Sequence, residues 1–185
     1  MGGNAVDRMS KVVAVCGVKN SGKTTLLEKL VRELSGMGIR AAVIKHDGHD
    51  FSCDIPGTDS HRLWSAGAYG TAVFSENRIF VHKEERTEPG KKEPKKQKTE
   101  EKIRELLGLF PEADIIFLEG MKESSFPKIE VVRKAVSREP VSNPEGRFLI
   151  VTDLEPGEFP EEMFAGEETA GMEETDLIIE KILRI

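Results

Sequence analysis

Short apolar runs alternate with amphipathic segments in the first quarter of the chain. Residues 11–16 (KVVAVC) form a β-branched run that ends at Gly17, as expected for a buried parallel strand. Leucines then recur three and four positions apart up to Gly36, which predicts an amphipathic helix, and residues 39–45 (IRAAVIK) predict a second strand. A strand, a helix and a second strand in this order predict a right-handed parallel crossover. The pattern therefore predicts an α/β fold with a mostly parallel sheet flanked by helices.

The rest of the pattern adds a hairpin, further strands and a charged insert. Residues 71–74 and 78–82 flank Glu76 and Asn77, which predicts two adjacent strands joined by a tight turn, a hairpin addition to the fold. Further strands are predicted over 114–120, 128–132 and 148–152, and helices over 60–66, 103–110 and around 177–183. Residues 83–102 contain no aliphatic or aromatic side chain, so burial cannot offset the entropy of ordering them. We expect a flexible charged insert within a single domain that spans residues 1–185.

Composition and charge exclude several classes of protein. The formal net charge of -6 argues against nucleic acid as the main partner. No apolar run approaches the roughly 18 residues of a membrane span, and the first residues do not read as a secretory signal. The two cysteines fit free thiols in a reducing compartment. We therefore expect a cytoplasmic protein that binds neither membranes nor nucleic acid.

The turn between the first strand and the first helix carries a phosphate-binding motif. Residues 17–24 read GVKNSGKT, which matches G-x-x-x-x-G-K-[ST], the P-loop or Walker A pattern. Glycines let the backbone approach phosphate oxygens, and backbone N–H groups and the helix N-terminus point positive dipoles at them. Lys23 is expected to reach the β and γ phosphates, Thr24 to bind Mg²⁺ and Thr25 to contact the α phosphate. The predicted nucleotide-binding residues of this loop are Gly17, Lys19, Asn20, Ser21, Gly22, Lys23, Thr24 and Thr25.

Two carboxylates are candidates for the metal and for catalysis. Glu119 ends the strand IIFL-E, which places it at the carboxyl edge of the sheet, where open α/β folds bind ligands. Asp47 follows the second strand in the same way. Either side chain could hold the metal, hold its water or orient an attacking water. The alternative for both is a helix cap or a solvated acid at the end of a strand.

The motifs together resemble the molybdopterin-guanine dinucleotide biosynthesis protein B (MobB) family of P-loop GTPases. The resemblance runs through VVAVCGVKNSGKTTLLEKL, VIKHDGHDF, residues 54–68, DIIFLEGMK and PKIEV, and it covers most of the chain in one order. It implies a homodimer that binds GTP and Mg²⁺ and hydrolyses GTP at most slowly. It also implies that the protein assists a separate MobA-type nucleotidyltransferase, which attaches GMP to molybdopterin. By this resemblance Lys23 and Thr24 bind triphosphate and Mg²⁺, Glu119 serves the metal or water, and residues 46–62 face nucleotide, pterin or partner.

The chain departs from the usual GTPase pattern in its guanine-binding element. No N-K-x-D sequence occurs, so another carboxylate must accept hydrogen bonds from guanine N1 and N2 if GTP is preferred. Asp153, which follows the late strand FLIVT, is the candidate, and the alternative is a turn acid before Pro156.

Two other functions stay open at the level of sequence. The first is a small-molecule kinase that uses the charged insert as a lid, although that insert contains a single arginine, Arg86. The second is an adaptor that senses nucleotide without turnover. The sequence therefore does not decide whether the chain is an enzyme, nor whether molybdopterin itself binds.

Overall fold

The computed structural model describes residues 10–47, 51–84, 95–155, 157–158 and 167–185. It divides into two compact units, one made of residues 1–46 and 100–185 and the other of residues 47–99. The prediction of a single domain over residues 1–185 stays a prediction.

Strands and helices alternate only in the first part of the chain. In chain order they are β1 (Lys11–Cys16), α1 (Lys23–Gly36), β2 (Ala41–Lys45), α2 (Asp59–Ser65), β3 (Gly70–Phe74), β4 (Ile79–Lys83), α3 (Lys95–Leu107), β5 (Ile115–Glu119), β6 (Lys128–Val132), β7 (Arg147–Thr152), β8 (Glu168–Ala170) and α4 (Thr175–Arg184).

The first unit is built on a six-stranded sheet in the order β2-β5-β1-β6-β7-β8. Each neighbouring pair in this sheet is parallel. The carboxyl ends of the strands therefore meet at one edge, with β1 between β5 and β6. Its parallel sheet and flanking helices confirm the predicted α/β fold.

Both faces of the sheet are apolar, as a parallel sheet covered on both sides requires. One face packs against the leucines of α1 and the isoleucines of α4, with Phe117 of β5 fully buried at its centre. The opposite face buries Ala14, Cys16 and Leu118 against Ile103 of α3. The alternation of side chains along β1 and β5 thus supplies both layers of core.

A buried lysine ties two loops of this unit together. Lys128 begins β6 and is fully buried. Its ammonium donates to the backbone carbonyls of Ser124, 2.6 Å away, and Phe126, 3.3 Å away, and also to that of Glu145. Three N–H donors thus meet three carbonyl acceptors, which satisfies a charge that burial would otherwise penalise. The loop after β5 and the loop before β7 are thereby fixed to each other.

The second unit contains α2 and the hairpin of β3 and β4. Thr58 caps α2 by accepting a hydrogen bond from the His61 N–H. The strands are antiparallel, with Phe74 opposite Ile79 and Ala72 opposite Val81, which confirms the predicted hairpin. Phe74 is 81%, Ile79 76% and Val81 61% exposed. Because residues two apart on a strand share a face, these side chains form one apolar face of the hairpin.

The flexible insert predicted over residues 83–102 stays a prediction, and the structure places regular elements at both of its ends. Lys83 closes β4, and α3 begins at Lys95. Residues 85–94 lie outside the described part of the chain, so the prediction for them is neither supported nor opposed. Lysine, glutamate and glutamine are good helix formers, and Ile103 fixes the end of α3 in the core. The absence of apolar residues therefore did not preclude a helix that is anchored further along.

Strand β8 was not predicted, because its three residues, ETA, carry no apolar run. Over the described ranges, no helix is long and apolar enough to cross a membrane.

Candidate nucleotide-binding site

The P-loop lies at the carboxyl end of β1, and α1 begins at Lys23 directly after it. Gly17 has a φ of 142°, and a Cβ at this position would lie 2.6 Å from Ser21 Oγ and 2.6 Å from the carbonyl oxygen of Val131. A contact this short with backbone excludes any side chain. Asn20 has a φ of 64°, a left-handed conformation that asparagine tolerates better than most residues. The turn is therefore wrapped more tightly than other residue types would allow.

The N-terminus of α1 is left open to an anion. Gly22 occupies the N-cap without a side-chain cap, and the first turn contains no acidic residue. The exposed N–H groups and the helix dipole thus meet no negative charge from the helix itself. Lys19 and Asn20 of the loop and Thr24 and Thr25 of the first turn of α1 are exposed, whereas Ser21 is buried beneath the loop.

Lys23 folds its ammonium back over the loop. The Nζ atom donates to the carbonyl oxygens of Val18, 2.7 Å away, and Gly17, 3.1 Å away. Beneath the loop, the buried Ser21 hydroxyl has no hydrogen-bond partner within the described residues. The loop thus concentrates a cation, an open helix N-terminus and an unpaired hydroxyl in one short segment.

Glu119 reaches the first turn of α1 from the neighbouring strand. The Thr24 hydroxyl donates to Glu119 Oε1 at 2.9 Å, and Lys45 Nζ lies 3.5 Å from the same oxygen. The register explains this meeting, because Glu119 pairs with Val15 of β1 on one side and with Lys45 of β2 on the other. Glu119 is 8% exposed. Two predicted metal ligands, Thr24 and Glu119, are therefore brought together at the carboxyl edge of the sheet.

Asp47 follows His46, the residue directly after β2. The N–H of His46 donates to the Glu119 carbonyl at 3.1 Å, but Asp47 is the first residue of the second unit. Its role as a metal ligand or catalytic carboxylate stays a prediction.

Asp153 lies at the same edge of the sheet, directly after β7. Its Oδ2 accepts from Arg133 Nε at 2.9 Å, and its Oδ1 accepts from the Lys134 N–H at 2.7 Å. Partial burial alone would raise the pKa of this carboxyl, but the hydrogen bonds from Lys134 and Arg133 outweigh it and hold the pKa below its usual range. The predicted guanine acceptor is therefore an oriented, ionised carboxylate.

Cys16 ends β1 immediately before the P-loop. Its thiol donates to the carbonyl oxygen of Gly120 at 2.9 Å. Burial, followed by the neighbouring Glu130 carboxylate, raises the pKa of this thiol to about 12. Cys16 is thus a neutral structural hydrogen-bond donor that joins the P-loop strand to the turn after Glu119.

The sequence analysis missed two cations at this site, Lys45 and Arg133. Each lies at the carboxyl end of a strand, where Glu119 and Asp153 were sought as acids. Position at a strand end could have placed both at this edge of the sheet, but their partners depend on the strand order.

Comparison with known proteins decides the family. Residues 12–153 match the family model described as molybdopterin guanine dinucleotide synthesis protein B, MobB. The chain belongs to the MobB family. The adapter protein of molybdopterin-guanine dinucleotide biosynthesis from Escherichia coli is 34% identical over 71% of this chain and 71% of its own length. The protein of the same name from Haemophilus influenzae is 32% identical over 69% of this chain and 66% of its own length.

Solved MobB structures share the fold. The crystal structure of Bacillus subtilis MobB superimposes with a TM-score of 0.67 at 22% identity, over 92% of this chain and 97% of that one. A crystal structure of molybdopterin-guanine biosynthesis protein B gives a TM-score of 0.65 at 20% identity, over 94% of this chain and 98% of that one. These structures confirm the fold, and the family model and the two relatives confirm the MobB resemblance and place the chain in molybdopterin-guanine dinucleotide biosynthesis.

Proposed function

We propose that this chain binds GTP with Mg²⁺ at the P-loop and acts as an adapter for a MobA-type nucleotidyltransferase that attaches GMP to molybdopterin. The observation that carries the proposal is the loop of residues 17–24, which wraps tightly between β1 and the uncapped N-terminus of α1. The relatives of this chain from E. coli and H. influenzae are both named as adapter proteins of molybdopterin-guanine dinucleotide biosynthesis.

The loop suits a phosphate chain. The ammonium of Lys23 is held by carbonyl oxygens of the loop itself, so it can move to phosphate oxygens without breaking a structural ion pair. The first N–H groups of α1 supply further donors. Anions bind such termini because backbone dipoles and N–H groups converge there.

The neighbouring oxygens suit Mg²⁺. This cation prefers hard oxygen ligands and keeps several waters, with one or two protein ligands. Thr24 Oγ1 and Glu119 Oε1 are such oxygens, and they lie 2.9 Å apart. No cluster of three or more His, Cys, Asp or Glu occurs among the residues with a described placement. The remaining ligands would therefore come from phosphate and water, and Mg²⁺ would neutralise phosphate charge.

Asp153 is the proposed guanine acceptor. Each carboxylate oxygen accepts one hydrogen bond from the protein and keeps a second lone pair. The test is calorimetry of GTP and XTP on the wild type and on Asp153→Asn. Xanthine carries an acceptor where guanine carries the N2 donor, so the variant is expected to shift the ratio of the two affinities from GTP toward XTP. Equal losses for both nucleotides would remove Asp153 as the base-reading residue.

We propose that hydrolysis is slow. Glu119 is proposed as a Mg²⁺ ligand beside Thr24, and a carboxylate that holds the metal does not also orient the attacking water. Single-turnover hydrolysis of GTP measures this directly. A rapid rate without any partner would contradict the adapter reading. Phosphoryl transfer to a nucleoside or metabolite in a substrate screen would instead favour the kinase alternative.

The homodimer is also a proposal, and the apolar face of the hairpin supports it. Exposed apolar faces on a soluble domain mark interaction surfaces. We expect Phe74→Glu to convert a dimer to a monomer in light scattering, whereas Leu109→Glu, at a residue 65% exposed in the first unit, leaves the mass unchanged. A wild-type monomer at micromolar concentration would contradict the proposal.

The adapter role is tested by reconstitution. Purified MobA-type transferase, molybdopterin, Mg²⁺ and GTP are combined with the wild type or with Lys23→Ala, and the molybdopterin guanine dinucleotide product is measured. Wild type is expected to raise product yield, and Lys23→Ala is expected not to. No effect of the wild type would contradict the adapter role while leaving nucleotide binding untouched. Direct binding of molybdopterin is measured separately, by calorimetry without nucleotide.

A further inference from the structure

Arg133 lies beside the P-loop on the side opposite Glu119. It directly follows β6, which pairs with β1, whereas Glu119 ends β5 on the other side of β1. A Cβ built on Gly22 would lie 3.4 Å from the NH1 atom of Arg133. Gly22 is the N-cap of α1 and immediately precedes Lys23. The guanidinium therefore stands at the rim of the phosphate cradle.

The arginine is held there by its inner nitrogen. Arg133 Nε donates to Asp153 Oδ2 at 2.9 Å, and Asp153 is in turn held by the Lys134 N–H. Strand register brings the pair together, because β6 and β7 are neighbours that end in parallel with Val132 opposite Thr152. Neither terminal nitrogen, NH1 or NH2, donates a hydrogen bond to any residue whose placement is described. The anchored side chain thus presents its outer donors toward the loop.

We propose that Arg133 binds the phosphate chain of the nucleotide in the P-loop, with Asp153 as the residue that positions it. This inference rests on the proposed nucleotide site. A planar guanidinium offers two parallel N–H groups that match phosphate oxygens. An arginine whose Nε is already bound to a carboxylate loses less side-chain freedom on binding than a free one. Arg133 would then close the cradle on the β6 side, while Lys23 and Thr24 bind from α1.

The observations favour the phosphate chain over the base as its target. The NH1 atom lies near Gly22, a backbone element of the cradle itself. The positive charge of Arg133 also suits an anion.

The experiment measures calorimetric affinities of GTP and inorganic triphosphate, each with Mg²⁺, for wild type, Arg133→Gln and Arg138→Gln. Hydrogen bonds to charged groups contribute enough that their loss weakens binding about 10-fold or more. The affinity of Arg133→Gln is expected to be about 10-fold lower than that of the wild type, both for GTP and for inorganic triphosphate. Arg138 lies in the same segment, is exposed and pairs with Glu158, so Arg138→Gln is the matched control and is expected to bind as wild type does.

Two results would overturn the proposal. Unchanged affinity of Arg133→Gln for both ligands removes Arg133 from the site. A loss for GTP without a loss for inorganic triphosphate assigns Arg133 to the base or ribose instead. Lys23→Ala separates this inference from the proposed function: if that variant loses affinity and Arg133→Gln does not, only the inference fails. If the wild type binds neither ligand, both fail together.

Asp153→Asn tests the positioning role. The variant keeps the shape of the side chain but weakens the hold on Nε, so inorganic triphosphate affinity is expected to fall by less than in Arg133→Gln. In the double variant the two losses are expected not to add, because they break one linked contact. Full additivity, or an unchanged affinity of Asp153→Asn for inorganic triphosphate, would refute positioning by Asp153. Circular dichroism of each variant without ligand confirms that the sheet is intact.

Discussion

Replacing Gly17 with alanine would place a methyl group where the fold has no room for one. The new Cβ would lie 2.6 Å from both Ser21 Oγ and the Val131 carbonyl oxygen, and the φ of 142° is unfavourable for any L side chain. A rare backbone conformation costs about 1–3 kcal/mol, and overpacking costs about the same. The carbonyl oxygen of Val131 belongs to the backbone of the adjacent strand β6, so it cannot move away without disturbing the sheet. We expect Gly17→Ala to lose about 2–5 kcal/mol of unfolding free energy.

Two other glycines separate the contributions. Gly38 has a φ of 76° and nothing within 4 Å of its Cβ position. Gly38→Ala is therefore destabilised by the unfavourable backbone conformation alone. Gly36 lies at the end of α1, has an ordinary φ and has open space around it, so Gly36→Ala is expected to stabilise by up to about 1 kcal/mol. The difference between Gly17→Ala and Gly38→Ala isolates the overlap with Ser21 and Val131.

The assay is guanidinium denaturation followed by far-UV circular dichroism. Fluorescence is less suitable, because the single tryptophan, Trp64, lies in the second unit. Gly17→Ala is also expected to weaken GTP binding, since relief of the overlap must distort the loop. A stability for Gly17→Ala within about 0.5 kcal/mol of Gly38→Ala would refute the steric reasoning.

Three further predictions concern the metal, a thiol and the buried lysine. Thr24→Ala and Glu119→Gln are each expected to weaken GTP binding about 10-fold with Mg²⁺ and to change it little in EDTA, as measured by calorimetry. A disulfide reagent at pH 8 is expected to titrate Cys53 at once but Cys16 only after unfolding, because Cys16 is buried with a raised pKa. Lys128→Met is expected to lose about 3 kcal/mol in chemical denaturation, because three carbonyl oxygens lose their donor.

Each of these predictions has its own contradicting result. An equal loss of GTP affinity with and without Mg²⁺ would remove Thr24 and Glu119 from the metal site. Two thiols reacting at the same rate in the folded protein would contradict the burial of Cys16. The control is Cys53→Ser, which lacks the exposed thiol that is expected to react rapidly. A Lys128→Met variant as stable as wild type would mean that relief of charge burial offsets the lost hydrogen bonds.

Local patterns predicted the first unit well where one face or both faces of an element are buried. The run KVVAVC and the leucine spacing of α1 each fix an element because burial demands a particular period. The sequence pattern did not predict strand β8, because this strand forms by pairing with β7. That nonlocal contact cannot be recognised from its three residues alone. The charged start of α3 was not predicted to be helical for a related reason. The helix is anchored in the core by Ile103, which lies further along the chain.

Part of the site was also within reach of the sequence. The P-loop follows from residue types at fixed spacing, and Glu119 follows from its place at the end of a strand. Lys45 and Arg133 did not follow, because their roles depend on strand order: β2 lies beside β5, and β6 beside β7. That strand order is set by the packing of the whole sheet and cannot be read from the sequence of any one strand.

The central claim is that the P-loop of this chain binds GTP. The most direct test is calorimetry of GTP, GDP and ATP with Mg²⁺ on wild type, Lys23→Ala and Lys29→Ala. Lys29 lies on the same helix but pairs with Glu173, which makes it the matched control. The account predicts that GTP binds more tightly than ATP, that Lys23→Ala weakens GTP binding at least 10-fold, and that Lys29→Ala does not. Wild-type GTP affinity in Lys23→Ala, or no binding of GTP to the wild type, would contradict it.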